Sequence, residues 1–139
     1  MLTRTITYTD YDGVERTEDF MFNLNKSELT TMEMSYEGGL KQRLGTMIAK
    51  KDGPAIMRTF RELIHAAYGE KSEDGRRFIK SDALSTAFEQ TEAYNILFME
   101  LCTDAKKAAE WVEGILPADL RQAAAEANNG ADLSLVSPV

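Results

Sequence analysis

Residues 68–104 read YGEKSEDGRRFIKSDALSTAFEQTEAYNILFMELCTD, and they hold a charged turn followed by the most apolar helical segment of the chain. In that segment, residues 94–102, only Asn95 and Glu100 are polar. A helix that is apolar on nearly every side is normally buried. We therefore predict that this helix is the central one, against which the others pack.

The charged turn at residues 70–80 is preceded by the best-defined helical pattern in the sequence. Apolar side chains recur at helical spacing over residues 56–67, and Asp52-Gly53-Pro54 marks the start because proline is tolerated in a first turn. Gly69 is predicted to end this helix as its C-cap. The turn itself is predicted to be a polar connection in which Phe78-Ile79 packs back onto the core.

The first 24 residues have the pattern of a β-hairpin. Residues 2–9, LTRTITYT, alternate between threonine and mostly apolar side chains, which is typical of a strand with one buried face. Asp10 to Gly13 reads as a turn, with the glycine supplying the positive φ that a tight reversal needs. Residues 14–22 return as the second strand.

Further helix starts are marked by capping residues. Asn25 and Glu28 stand at the spacing of a capping box, in which each side chain binds the other residue's backbone N–H. Asp104 is placed to cap a later helix, and residues 118–127 show a weaker helical pattern.

These patterns together predict a mainly α fold. A β-hairpin at residues 1–24 is followed by a compact bundle of about six helices at residues 25–127. A chain of 139 residues normally forms one domain, so residues 1–127 are predicted to be a single domain. Residues 128–139 are predicted to be a flexible, mobile C-terminal tail.

The charge of the chain is acidic and unevenly distributed. Sixteen Lys and Arg stand against 23 Asp and Glu, which gives a net charge of −7. Residues 81–139 hold three of the basic and ten of the acidic residues, so they account for the whole surplus. Nucleic-acid binding requires a basic footprint, and this distribution argues against it. The acidic half either faces a basic partner or keeps the protein soluble.

Few residues are suited to catalysis or metal binding. His65 and Cys102 are the single histidine and the single cysteine, and neither stands in a catalytic or zinc-binding pattern. His65 is expected at a helix surface, and Cys102 is expected to be a small buried apolar residue. We therefore predict that the protein is not an enzyme and needs no cofactor or metal. No run of 18 apolar residues occurs, so no membrane-spanning helix is predicted.

The chain is rich in methionine, with seven in all. Met32, Met47 and Met99 fit the apolar stripes of the predicted helices, so they are expected in the core. Three others lie off those stripes and are candidates for an exposed patch that binds a partner. These three are Met21, Met34 and Met57. Such a patch would also favour self-association, so a homo-oligomer stays an open alternative.

Arg76-Arg77 is a basic doublet in the charged turn, directly before Phe78. Guanidinium groups pair with carboxylates through two hydrogen bonds. The doublet therefore either binds a carboxylate on a partner or pairs with a nearby acidic residue of the same turn. Arg76, Arg77 and Phe78 are the first candidates for contact with a partner.

Several segments of the chain occur together in an order typical of one family. They are Tyr68–Ser72, Asp74–Phe78, Gln90–Tyr94 and Gly114–Pro117, with residues 7–24 and the helix start at residues 52–54. On these segments the chain resembles the small tail assembly chaperones of long-tailed phages and prophages of Gram-positive hosts. None of the segments is catalytic, so the specificity of the resemblance lies in their combination. The resemblance spans roughly residues 3–121.

The resemblance implies a helical protein without catalytic activity that acts in the cytoplasm of the infected host cell. Such proteins bind the long, helical, aggregation-prone tape measure protein and keep it soluble while tail tube subunits assemble around it. They are generally absent from the mature virion, and no individual binding residue carries over from the family. Two alternatives stay open: a structural tail or neck component of the virion, and an acidic host-directed interaction protein.

Overall fold

The computed structural model describes residues 1–117 and contains six helices and four strands in this range. In chain order the elements are β1 Leu2–Thr9, β2 Glu15–Phe22, α1 Lys26–Ser35, α2 Gly39–Lys50, α3 Gly53–Ala67, β3 Tyr68–Lys71, β4 Phe78–Ile79, α4 Asp82–Glu89, α5 Glu92–Thr103 and α6 Ala105–Ile115. The mainly helical fold and the N-terminal hairpin are confirmed. The helix predicted at residues 118–127 and the tail predicted at residues 128–139 lie outside the described residues.

The N-terminal hairpin forms as the alternation predicts. The threonines of β1 are exposed, while Ile6 is buried on the opposite face. In the turn, Asp10 Oδ1 accepts hydrogen bonds from the backbone N–H groups of Asp12 and Val14, both at 2.9 Å. Gly13 follows at a φ of +81°. A side chain two to four residues away thus fixes the reversal, which is a local interaction that the sequence encodes directly.

The sheet contains two more strands than the hairpin, in the order β1-β2-β3-β4 and antiparallel throughout. The prediction of a polar connection over residues 70–80 is therefore wrong at the two ends of this segment, which pair as strands of a second hairpin, whereas the predicted turn at Gly75 is present. The prediction that Gly69 caps α3 is wrong as well. Tyr68 ends the helix and starts β3, and Gly69 pairs with Met21 of β2.

Gly69 is required by close packing within this second hairpin. A Cβ atom at this position would lie 2.6 Å from Cε2 of Phe78 and 2.8 Å from the backbone oxygen of Ile79. The absence of a side chain thus lets the Phe78 ring lie against the β3 backbone.

The core lies between one face of the sheet and the helices. Phe22, at the end of β2, is fully buried and meets three aromatic rings edge-on, with ring centroids 5.6–5.8 Å apart. The three are Tyr68, Phe88 and Trp111, from β3, α4 and α6 respectively. Sheet and helices are therefore joined through one aromatic cluster.

Helix α5 packs on β1, α3, α4 and α6, but it is not buried on every side. Leu97 and Leu101 are buried, whereas Ile96 is 45% and Met99 is 52% exposed. The expectation of an all-round buried helix is therefore wrong for one face, and the core placement of Met99 is wrong. Met47 is buried as expected, and Met32 is partly buried against the core.

We expect the Gly69→Ala substitution to destabilise the protein by about 1–3 kcal/mol, because the new methyl group would overlap the Phe78 ring and a backbone oxygen. Gly53→Ala is the matched control. Apart from the two neighbouring residues and the backbone of its own helix, no atom lies within 4 Å of a Cβ at Gly53, so this change should alter the stability by less than about 1 kcal/mol. Urea unfolding measures both. Equal stabilities of the two variants would contradict the close packing at Gly69.

The two faces of α5 predict different costs of truncation. Leu97→Ala removes a side chain with no exposed surface, and we expect it to cost about 2–5 kcal/mol. Ile96→Ala, on the neighbouring exposed position, should cost less than about 1 kcal/mol. Chemical denaturation of the two variants checks this difference, and a larger cost at Ile96 would refute the observed orientation of the helix.

Candidate functional site

An open groove of about 690 Å³ lies between α1 on one side and α3 with the start of α4 on the other. Its floor includes the buried Leu24 and the partly buried Met32 and Ala66. An apolar floor between polar walls is typical of a site that binds another molecule in a defined orientation. The groove is therefore the candidate functional site of the described residues.

The capping box of α1 sets one wall of the groove. Asn25 Oδ1 accepts a hydrogen bond from the Glu28 N–H at 2.8 Å, and Glu28 Oε1 accepts one from the Asn25 N–H at 3.0 Å. This confirms the predicted helix start. Because a side chain on each residue satisfies a backbone N–H of the other, the first turn of α1 is fixed and Glu28 is held at the end of the groove.

Three hydroxyl side chains at intervals of four residues form the α1 wall. They are Ser27, Thr31 and Ser35. The hydroxyl of Thr31 donates to the backbone oxygen of Ser27 at 2.9 Å, and that of Ser35 donates to the backbone oxygen of Thr31 at 3.0 Å. Since these two donors are used inside the helix, the wall offers small side chains and no charge.

Polar contacts tie the two walls together at both ends of the groove. At one end, Lys80 Nζ donates to Glu28 Oε1 at 2.7 Å and to the backbone oxygen of Asn23 at 2.6 Å. At the other end, the Tyr36 hydroxyl donates to Glu62 Oε2 at 3.1 Å. Burial raises the pKa of this Tyr36 hydroxyl, as does the carboxylate beside it, so the hydroxyl keeps the proton that it donates.

His65 connects α3 to both ends of α4. Its Nε2 lies 3.0 Å from Asp82 Oδ1 and its Nδ1 lies 2.7 Å from Glu89 Oε2. The hydrogen bond with Asp82, followed by that with Glu89, raises the pKa of His65 above its ordinary value. A neutral imidazole donates from one nitrogen only, so the imidazolium is the form that satisfies both carboxylates. His65 is partly exposed at a helix surface, as expected.

The structure brings together Met21 and Phe78, two of the residues that the sequence singled out. Met21 pairs with Gly69, and the Phe78 ring lies against the same glycine, so both flank it on the sheet. Arg76 and Arg77 lie in the adjoining turn and are exposed. Within residues 1–117 neither guanidinium forms an ion pair, so the alternative of an internal pair is wrong.

The other two singled-out methionines lie on separate elements. Met34, on α1, is 85% exposed and lies three residues beyond Thr31, but it does not line the groove. Met57, on α3, is exposed on a different side of the helix from Glu62. The six candidates therefore do not form one site, and their role in partner binding stays a prediction.

Sequence reasoning missed most of the groove residues. The hydroxyls at residues 27, 31 and 35 recur with helical spacing, and that pattern was a usable signal. The pairing of Lys80 with Glu28 joins residues 52 positions apart, so no local pattern indicates it.

Cys102 is half-buried, and burial raises the pKa of its thiol.

Residues 1–117 hold neither a helix that could span a membrane nor a cluster of metal ligands. No helix in this range is long and apolar enough to cross a membrane. No group of three or more His, Cys, Asp or Glu side chains in this range is arranged to hold a metal ion.

A family model described as phage tail assembly chaperone matches residues 1–136. No curated protein and no solved structure matches the chain.

Because two carboxylates flank His65, we predict that the stability of the protein depends on pH. Because the folded pKa of His65 is raised above the unfolded value of about 6.5, its contribution is complete below about pH 6.5 and is lost as the pH rises through the folded pKa. We expect the wild type to have a higher unfolding midpoint than His65→Gln at pH 6. This difference between the two proteins should be smaller at pH 8.5. Thermal unfolding at both pH values measures this. The same difference at both values would show that the imidazole charge is unimportant.

Proposed function

Because the family model covers almost the whole chain, this protein belongs to the phage tail assembly chaperone family, and from that premise we propose that it binds the tape measure protein of its phage. Binding keeps the tape measure protein soluble in the cytoplasm of the host cell until tail tube subunits surround it. The tail tube protein is the second proposed partner, and the chaperone is then left out of the mature virion.

The observation that supports this proposal is an open groove beside a core that is already complete. A long helical client exposes apolar stripes until its final partners arrive, and such stripes drive aggregation. A groove with an apolar floor covers a stripe by binding a helix along its length. The hydroxyl wall of α1 and the wall of α3 and α4 border this floor on its two sides.

The size of the groove suits a chaperone that releases its client. The α1 wall runs from Ser27 to Ser35, a length of about 12 Å at helical rise. An interface of that length covers only two or three helical turns, so each contact is weak and exchanges quickly. Tube subunits that bind the same stripe over a larger area then displace the chaperone.

Co-expression with the tape measure protein tests the proposal. We expect the tape measure protein to become soluble and to co-purify with the chaperone, and to be insoluble when expressed alone. Co-expression with an unrelated acidic protein of similar size is the control for a general effect of expression. A companion variant with Arg76, Arg77 and Phe78 changed to alanine examines whether the second hairpin contributes to binding.

Two results would contradict the proposal. In the first, the tape measure protein stays insoluble and the chaperone does not co-purify with it. In the second, mass spectrometry detects the chaperone in purified virions at the level of a tail component. The second result would favour a structural role in the tail.

A further inference from the structure

We propose that the groove selects an amphipathic helix that carries Lys or Arg along one flank of its apolar stripe and no charge on the other flank. This inference rests on the proposed function, because it specifies which segments of the client the chaperone recognises. It follows from a difference in charge between the two walls.

The wall formed by α3 and α4 carries free carboxylate surface. The Glu62 carboxylate accepts one hydrogen bond, from Tyr36, and keeps further acceptor positions. The side chain of Asp82 is 97% exposed while one of its oxygens contacts His65. Both residues line the groove. Lysine or arginine side chains of an occupant would meet these carboxylates.

The opposite wall offers no charge to an occupant. Ser27, Thr31 and Ser35 are neutral, and the carboxylate of Glu28 at their end is already paired with Lys80 at 2.7 Å. Small side chains at intervals of four residues let a second helix approach closely. The two walls therefore favour different side chains on the two flanks of a bound helix. This difference fixes the rotation of the helix about its own axis.

The net charge of the groove is negative, as is that of the carboxylates on the wall formed by α3 and α4. Three carboxylates line it, against one ammonium group and one imidazole. The net charge is therefore −1 when His65 is protonated and −2 when it is neutral. A basic flank is complementary to this charge, and an acidic flank is repelled.

Neither the charge of residues 118–139 nor the placement of α2 within residues 1–117 suits the groove. Residues 118–139, which follow the described part, contain Asp119, Glu126 and Asp132 against Arg121, a net charge of −2 that the groove would repel. Helix α2 is basic and amphipathic, but its apolar stripe is buried in the protein's own core. We therefore assign the complementary helix to the partner protein.

Two synthetic peptides test the charge preference on the full-length protein. Both are 15-residue helical peptides with the same leucine stripe, one with lysines and the other with glutamates along one flank. We expect fluorescence anisotropy to show tighter binding of the lysine peptide, with an affinity that falls as salt is added. Glu62→Lys should weaken this binding about three- to tenfold. Glu110→Lys, the same change on the exposed surface of α6, should leave it unchanged.

Substitutions at two adjacent threonines of α1 test whether the lysine peptide binds in the groove. Thr31→Trp fills the groove from its hydroxyl wall and should abolish binding of the lysine peptide. Thr30→Trp is the matched control, because Thr30 is exposed on the same helix but does not line the groove. Both positions are exposed, so the thermal unfolding midpoints of the two variants should remain close to that of the wild type.

Several results would overturn the assignment. They are equal binding of the two peptides, equal effects of the two tryptophan variants, tighter binding of a peptide that copies residues 118–139, and self-association that Thr31→Trp removes. Co-expression separates this inference from the proposed function. If Thr31→Trp still keeps the tape measure protein soluble and bound, the function stands and the groove is not its site. If the wild type also fails to keep the tape measure protein soluble and bound, the proposed function is wrong as well.

Discussion

The buried ring of Phe22 joins the sheet to the helices. It ends β2, which lies between β1 and β3, and it contacts Tyr68 and Phe88, whose rings stack on each other at 4.5 Å. Trp111 of α6 closes the cluster. Aromatic pairs have preferred orientations, so each ring restricts the placement of the others. The position of α4, and with it one wall of the groove, therefore depends on a residue at the end of the first hairpin.

The groove is a consequence of how α1 is attached. Helices cover only the face of the hairpin that carries Ile6 and Phe22, and α1 packs mainly against α2. Leu29 is its one buried side chain. Polar contacts hold the two ends of α1 on its groove side: Tyr36 binds Glu62 of α3 at one end, and Lys80, which precedes α4, binds Glu28 at the other. A helix held in this way leaves a space that an occupant can enter without disrupting the protein's own core.

Local interactions explain what the sequence predicted well. The N-caps Asn25, Asp52 and Asp104 each bind a backbone N–H three residues ahead, as their spacing indicates. The second hairpin was missed because its turn is highly charged and β4 has only two residues. Its useful signals were Gly69 and Phe78, whose contact joins residues nine positions apart. The open face of α5 was missed because a periodic pattern shows which residues are apolar, not which of them the other elements cover.

The candidate site was less predictable than the fold because its walls come from segments that are distant in the sequence. Lys80 meets Glu28, and His65 meets both Asp82 and Glu89, so the charge of each wall is known only after folding. The same arrangement suits a chaperone. A site lined only by apolar side chains would bind any exposed helix and would favour aggregation of the chaperone itself. In the proposed function, polar walls over a small apolar floor would restrict binding to helices with the matching flank. They would also limit the buried area, and a small buried area favours the fast dissociation that the proposed function requires.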